Sequence, residues 1–285
     1  MATTYNDLYL DIRQQLINHG ISQPSLEARE IVAYVAGKTR EQFFRDARIY
    51  APDNVVQGSF ELLERRLKGE PVAYIIGEWE FMGIPLDINS NVLIPRVDSE
   101  VLANCAIEWV KSKEDCRVLD LCTGSGSLGI AIAMHTDVSH VILADISPKA
   151  LAVARRNIRR HNLSSRVACV RTDVMRPASI SLGQYDLIVA NPPYIPSGDI
   201  ANLDPSVANY EPLEALDGGD DGLEFFRSIA SGYFHLLKSE AALMFECGMG
   251  QSNAVRDILL RNGYSEIETF QDTLGIERVV AGIHT

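Results

Sequence analysis

Apolar residues near the start of the chain recur at three- and four-residue intervals. Tyr5, Leu8, Ile12 and Leu16 fall on one face of a helix that Gly20 stops. Pro24 and Ser25 open a second helix that runs through Val35, and two more helical stretches are predicted near residues 40–45 and 55–68. Gly69-Glu70-Pro71 ends this helical run. Between residues 78 and 95 the period drops to two: Trp79, Phe81, Ile84, Leu86 and Ile88 alternate, with Gly83-Ile84-Pro85 and Asn89-Ser90-Asn91 as breaks, which predicts a β-hairpin linker. From about residue 97 strand-like and helix-like segments alternate. Strands are predicted at 117–121, 141–145, 167–171, 185–190, 241–247, 266–270 and 276–282. The first five alternate with helices, which implies a mostly parallel, doubly wound α/β sheet. Only residues 271–275 separate the last two, too few for a parallel crossover, so these should pair antiparallel. The expected architecture is a helical domain at 1–75, a hairpin linker at 76–96, and a seven-stranded Rossmann-like domain at 97–285.

Composition narrows the function classes. The chain has 285 residues, 46% hydrophobic and 22% charged, the mixture of an ordinary globular protein. Its apolar runs are strand-sized, too short to span a bilayer, and its first residues lack a signal peptide's basic start and apolar middle. The five cysteines (Cys105, Cys116, Cys122, Cys169 and Cys247) are scattered, without a CxxC pair, as expected of a reduced cytoplasmic protein without structural metal. Residues 1–75 carry 9 basic and 10 acidic side chains, and the remainder carries 17 and 28, so the net charge of −12 belongs almost wholly to the larger part. A nucleic-acid partner is disfavoured by that acidity. The basic run from Arg155 to His161 is read as a solvated helix face.

Two motifs carry the chemistry. The first is Asp120-Leu121-Cys122-Thr123-Gly124-Ser125-Gly126, followed by Ser127-Leu128-Gly129, a match to GxGxxG at the end of a predicted strand. Glycines there let a backbone approach a ligand closely. Asp145 ends the next strand, 19 residues after Gly126, where an acid can bind ribose hydroxyls. These features suit NAD as well as S-adenosylmethionine. Asp120 favours the latter, because an acid ahead of the glycines repels a pyrophosphate but can serve the ammonium of a methionine moiety. Asp173 follows the third predicted strand, in position either to accept from an adenine amino group or to cap the turn before Val174 and Met175. Cys122 reads as a small thiol lining the pocket.

The second motif is Asn191-Pro192-Pro193-Tyr194, directly after the buried strand 185–190. An amide nitrogen is a poor nucleophile because its lone pair is delocalised into the carbonyl. An enzyme that methylates it must fix both N–H groups and favour charge build-up on nitrogen. The Asn191 side-chain oxygen and the Pro192 carbonyl can each accept one N–H. The prolines make the turn rigid and leave carbonyls free of competing donors. Tyr194 can cover the planar group. No strong base is required, since an N-methylated amide cation loses its proton readily. Methyl transfer to an amide or amino nitrogen is therefore expected, and NPPY has no role in hydride transfer.

Taken with Gly69-Glu70-Pro71, Leu93-Ile94-Pro95-Arg96, Glu211-Pro212, Gly218-Gly219-Asp220-Asp221-Gly222-Leu223, Glu246-Cys247-Gly248 and Glu277-Arg278-Val279, these motifs make the whole chain resemble the release-factor glutamine methyltransferase family. That family methylates the side-chain amide of the glutamine in the GGQ motif of class 1 peptide chain release factors, and has a small helical domain joined by a hairpin to a methyltransferase domain. The resemblance implies that Asp120, Cys122, Thr123, Gly124, Ser125, Gly126, Asp145, Asp173, Val174 and Asn191 line the S-adenosylmethionine site, with S-adenosylhomocysteine as product. It implies that Asn191, Pro192, Pro193 and Tyr194 hold the glutamine and that a release factor is the partner; a monomer is expected. Arg96 and Glu246 shape the substrate pocket or form structural ion pairs. Two segments depart from the family pattern: Val97 follows Arg96 where a proline is usual, and Val174 stands where some members place an aromatic. Open alternatives are a glutamine methyltransferase of a ribosomal protein, an NPPY methyltransferase of nucleic-acid amino groups, and a cofactor-binding regulatory module without catalysis.

Overall fold

Thr4 opens the first helix with a capping box: its hydroxyl accepts from the Asp7 N–H, and the Asp7 carboxylate accepts from the Thr4 N–H. The computed structural model describes residues 3–285 and divides into two units, Met1–Gly77 with Pro205–Tyr210, and Glu78–Asp204 with Glu211–Thr285. The first unit holds α1 (Tyr5–Asn18), α2 (Pro24–Val35), α3 (Arg40–Arg45), α4 (Asp53–Leu67) and α5 (Val72–Ile76). Leu8, Ile12, Leu16, Ile31, Val32 and Leu63 form its buried interior. Arg66 of α4 grips Glu27 of α2 through two hydrogen bonds of 2.6 and 3.2 Å. Pro71 starts α5 and Gly77 ends it in a left-handed conformation. This one-turn helix is too short to register as a periodic pattern.

The second unit begins with β1 (Glu78–Phe81) and β2 (Ile84–Asp87), an antiparallel hairpin turning at Met82 and Gly83, both with positive φ. Residues 88–95, read as strand-like in the sequence, lie outside it. Then come α6 (Ser99–Lys111), β3 (Arg117–Leu121), α7 (Ser127–His135), β4 (His140–Asp145), α8 (Pro148–Arg160), β5 (Val167–Arg171) and β6 (Tyr185–Ala190). A four-residue helix, α9 (Pro205–Ala208), belongs to the first unit. There the Tyr210 hydroxyl donates to the Lys68 carbonyl at 3.0 Å. The chain closes with α10 (Glu224–Gly232), β7 (Leu237–Glu246), α11 (Ser252–Arg261), β8 (Tyr264–Gln271) and β9 (Glu277–His284).

The seven-stranded sheet has the order β5-β4-β3-β6-β7-β9-β8. Strands β3 to β7 pair in parallel, and β9 runs antiparallel to both β7 and β8. The doubly wound α/β sheet with an antiparallel final pair is therefore the observed fold. The chain leaves β3 toward β4 on one side, and β6 lies on the other, so a crevice opens at the carboxyl ends of β3 and β6. Leu121 and Ala190 are paired residues there, which puts Cys122 and Asn191 next to each other at the sheet edge. Among the described residues no helix is long and apolar enough to cross a membrane.

Candidate active site

The glycine loop is shaped by its own backbone. Cys122, Gly124 and Gly126 all have positive φ, and Gly126 N–H closes a turn on the Thr123 carbonyl at 2.8 Å. At Gly126 a Cβ would sit 3.0 Å from Leu143 and 3.1 Å from Ile130, so a side chain on this positive-φ residue would be both strained and crowded. At Gly124 a Cβ would meet nothing within 4 Å, so the backbone there faces open space. Asp120 is buried at the end of β3. Its Oδ2 accepts from the Thr123 hydroxyl at 2.5 Å and from Gly129 N–H at 3.0 Å. Burial nevertheless pushes its carboxyl up to about 7. A cation placed beside it would relieve that cost. Asp145 stands next in line, with Oδ2 accepting from Gly124 N–H and Oδ1 from Ser147 N–H, both at 2.9 Å. Burial raises its carboxyl as well.

Asp120 and the glycine loop share one cleft of about 50 Å³ with the NPPY turn. Asp120, Cys122, Thr123, Gly124, Ser125 and Asn191 line it, joined by Leu93, Pro95, Ser99, Leu102 and Glu246. Gly126 and Asp145 support the loop from outside the lining. Asp173 and Val174 are not in the lining. The Asp173 carboxylate accepts from Met175 N–H at 3.0 Å and pairs with Arg176 at 3.2 Å, the capping arrangement weighed from sequence. Val174 is buried in the core cluster with Leu121 and Ala144. Burial holds the Cys122 thiol well above its usual pKa, which makes it an inert wall of the cleft.

The Asn191–Tyr194 turn is held from behind. Asn191 Nδ2 donates to Ser99 Oγ at 3.1 Å. Gln251 Nε2 donates to the Tyr194 carbonyl at 2.9 Å, and Gly248 N–H donates to Gln251 Oε1 at the same distance. Ile195 N–H bonds the Leu216 carbonyl, and Gly218 N–H returns to the Ile195 carbonyl. A Cβ on Gly218 would fall 2.8 Å from Tyr194 Cα and 2.9 Å from the Pro193 oxygen, so only glycine lets the two backbones meet. Over these residues the long loop after NPPY braces the turn.

The Tyr194 hydroxyl donates to Glu246 Oε1 at 3.4 Å. Glu246 is buried, and its Oε2 has no hydrogen-bond partner among the described residues. Burial pushes its carboxyl up to about 7; the Ser99 hydroxyl, Arg278 and Tyr194 pull it down, and Asp98 adds to the rise. Arg96 has a different role. It pairs with Glu211, whose other oxygen accepts from Ile94 N–H at 3.1 Å, so this arginine fixes the Ile94–Arg96 segment that walls the cleft. Of the two alternatives left open by sequence, ion pairing fits Arg96, while Glu246 stands among the cleft residues without a salt bridge among the described residues.

Sequence reasoning missed Ser99, Gln251 and Asn157. Asn157 is fully buried; its Nδ2 donates to the carbonyls of Ser125 and Asp87, and its Oδ1 accepts from Asp87 N–H at 2.7 Å. It thus ties the glycine loop to the hairpin. Its flanking arginines are not wholly solvated: Arg160 pairs with Glu78 and Asp87, and Arg156 with Asp87. A polar residue set among apolar ones on α8 was the available signal.

The match to known families follows the same division. Residues 7–77 match the PrmC N-terminal domain and residues 85–203 the Methyltransferase small domain. The release factor glutamine methyltransferase of Neisseria gonorrhoeae is 38% identical over 264 residues, covering 92% of this chain and 95% of that protein. The one from Caulobacter vibrioides is 34% identical and covers 99% and 97%. Among solved structures, the hMettl16 catalytic domain in complex with an RNA hairpin superposes with a TM-score of 0.61 at 17% identity, covering 89% of this chain and 91% of that one. A methyltransferase from Pyrococcus furiosus gives 0.50 at 18% identity, covering 78% and 96%. At these identities the structures speak for the fold alone.

Proposed function

Because the chain belongs to the release factor glutamine methyltransferase family, we propose that it methylates the side-chain amide nitrogen, N5, of the glutamine in the GGQ motif of class 1 peptide chain release factors. The single observation that carries the reading on this chain is the convergence of Asn191 and the Asp120–Ser125 loop in one cleft.

The residues present fit S-adenosylmethionine. Asp120, buried and reluctant to ionise, suits the ammonium of a methionine moiety. The Gly124 backbone faces open space, and Asp145, each oxygen holding one backbone N–H, retains lone pairs for ribose hydroxyls. Asp173 and Val174 lie near the carboxyl end of β5, where an adenine would be bound. When bound, S-adenosylmethionine supplies a methyl group on a positively charged sulfonium, an excellent leaving group.

The chain's own residues supply orientation. Asn191 donates its amide hydrogen to Ser99, so its Oδ1 is left to accept one N–H of the target amide. The Pro192 carbonyl accepts the other. Both hydrogens are then fixed and positive charge growing on nitrogen is favoured by two acceptors. Tyr194, anchored through its carbonyl by Gln251, covers the planar group. The helical unit docks the body of the release factor. Its exposed Tyr34, Phe44 and Tyr50 are the side chains suited to that contact. The direct test is incubation with labelled S-adenosylmethionine and a release factor. Label on the GGQ glutamine supports the proposal, and its absence in the presence of bound cofactor contradicts it.

A further inference from the structure

Glu246 is a buried carboxylate in the cleft, one oxygen of which has no hydrogen-bond partner among the described residues, and the orientation of the target amide by Asn191 and Pro192 makes no use of it. It shares the cleft with two other polar groups of the turn and its support. Asn191 Nδ2 donates to Ser99 Oγ at 3.1 Å, Ser99 and Glu246 both line the cleft, and the Tyr194 hydroxyl reaches Glu246 Oε1 at 3.4 Å. We propose that Ser99 and Glu246 are positioning residues that decide which end of the Asn191 side-chain amide faces the substrate. The proposal rests on the reading of Asn191 as the holder of the target amide.

An ionised carboxylate can only accept hydrogen bonds. A serine hydroxyl has a single proton to give. With Glu246 ionised, Ser99 gives that proton to Glu246, and its oxygen is left to accept from Asn191. The amide NH₂ of Asn191 is thereby drawn to Ser99, and Oδ1 is turned to the cleft as the acceptor that an amide N–H needs. A protonated Glu246 reverses the polarity. It donates to Ser99, the Ser99 proton turns to Asn191, and Asn191 accepts it through Oδ1. The NH₂ would then face the cleft and oppose the N–H of the target.

The groups facing Glu246 set where this switch falls. Asp98 and Ser99 meet it from the start of α6, Arg278 from β9, Tyr194 from the NPPY turn, and Cys247 is its chain neighbour. Arg278 is shared with Asp98 and Asp272 at 2.7 and 2.9 Å, so its charge is largely spent elsewhere. Burial then dominates and holds the Glu246 carboxyl at about 7. The ionised, productive form is populated above that pH and lost below it.

The test compares wild type with Ser99→Ala, Ser99→Thr and Glu246→Gln. Three quantities are read: kcat and KM on a release factor, cofactor Kd by calorimetry, and the side-chain amide resonances of Asn191 against pH, assigned by their loss in Asn191→Ala. Ser99→Ala is expected to lower kcat by about 10- to 100-fold with cofactor Kd unchanged, and Ser99→Thr to recover most of that loss. The Asn191 amide resonances should titrate with a midpoint of about 7 in wild type and stay flat in Glu246→Gln. A folded Ser99→Ala enzyme with kcat within about threefold of wild type would overturn the relay. So would a titration of the Asn191 amide that persists in Glu246→Gln. Failure of wild type to methylate the release factor sinks the proposed function instead, and the amide titration, which needs no turnover, then decides the relay by itself.

Discussion

At Asp120, burial and ligand binding pull in opposite directions. Its carboxyl is raised from the ordinary 3.8 to about 7, chiefly by desolvation, so the folded protein holds that proton more tightly than the unfolded chain. The stabilisation is complete below about pH 4 and is lost as pH rises through 7. Without cofactor, Asp120→Asn should therefore melt at a higher temperature than wild type at pH 8, and the gap should close toward pH 4. The same substitution should weaken S-adenosylmethionine by about 1.5–3 kcal/mol, because a charged partner for the ammonium is gone. Calorimetry and thermal melts across pH check both; equal melting curves at pH 8 would mean that Asp120 carries no such strain. Asp145→Ala is expected to lose a similar amount of cofactor affinity through the ribose hydroxyls, and unchanged affinity in a folded variant would remove that assignment. Asn191→Ala should abolish single-turnover methyl transfer at saturating cofactor and leave the fold largely intact.

At the scale of elements, the site is two strand ends and what braces them. β3 and β6 are neighbours, so the glycine loop and the NPPY turn leave the sheet side by side. Gly218 allows residues 217–219 to lie against Tyr194 and Pro193 with no room for a methyl group. Gly218→Ala should shift the turn and lower methyl transfer by on the order of 100-fold, while cofactor affinity stays within a few-fold of wild type. Loss of both together would point to general unfolding. Much of this level was legible in the sequence, because it is local. The strand 185–190, the glycine spacing and the two prolines declare themselves within a dozen residues, and strand alternation fixes the sheet class. What was not legible depends on contacts between distant segments. Ser99 reaches Asn191 across 92 positions, Gln251 reaches Tyr194 across 57, and Asn157 reaches Asp87 across 70. Helix α5 and the hairpin's early end at Asp87 were missed because each spans too few residues for a repeating pattern to show.

For the whole molecule, the account needs a protein substrate and a place to hold it. The helical unit includes Pro205–Tyr210, and Tyr210 packs on Gly69 and bonds Lys68, so cutting the chain after residue 75 would strip that segment of its partners. Surface substitution is the cleaner test. Replacing Tyr34, Phe44 and Tyr50 together by alanine should raise KM for an intact release factor by about tenfold or more and leave a short GGQ peptide unaffected. Equal losses on both substrates would place the effect in the fold. The acidic balance of the larger part, 28 acidic against 17 basic residues beyond position 75, suits a protein partner better than a polynucleotide. The central claim is that the NPPY turn delivers a glutamine amide to the cofactor cleft. Tandem mass spectrometry of a release factor incubated with the protein and methyl-labelled S-adenosylmethionine tests it most directly. The account predicts one methyl group on the side-chain nitrogen of the GGQ glutamine with wild type and none with Asn191→Ala. Methyl on another residue, or the same yield from Asn191→Ala, would contradict it.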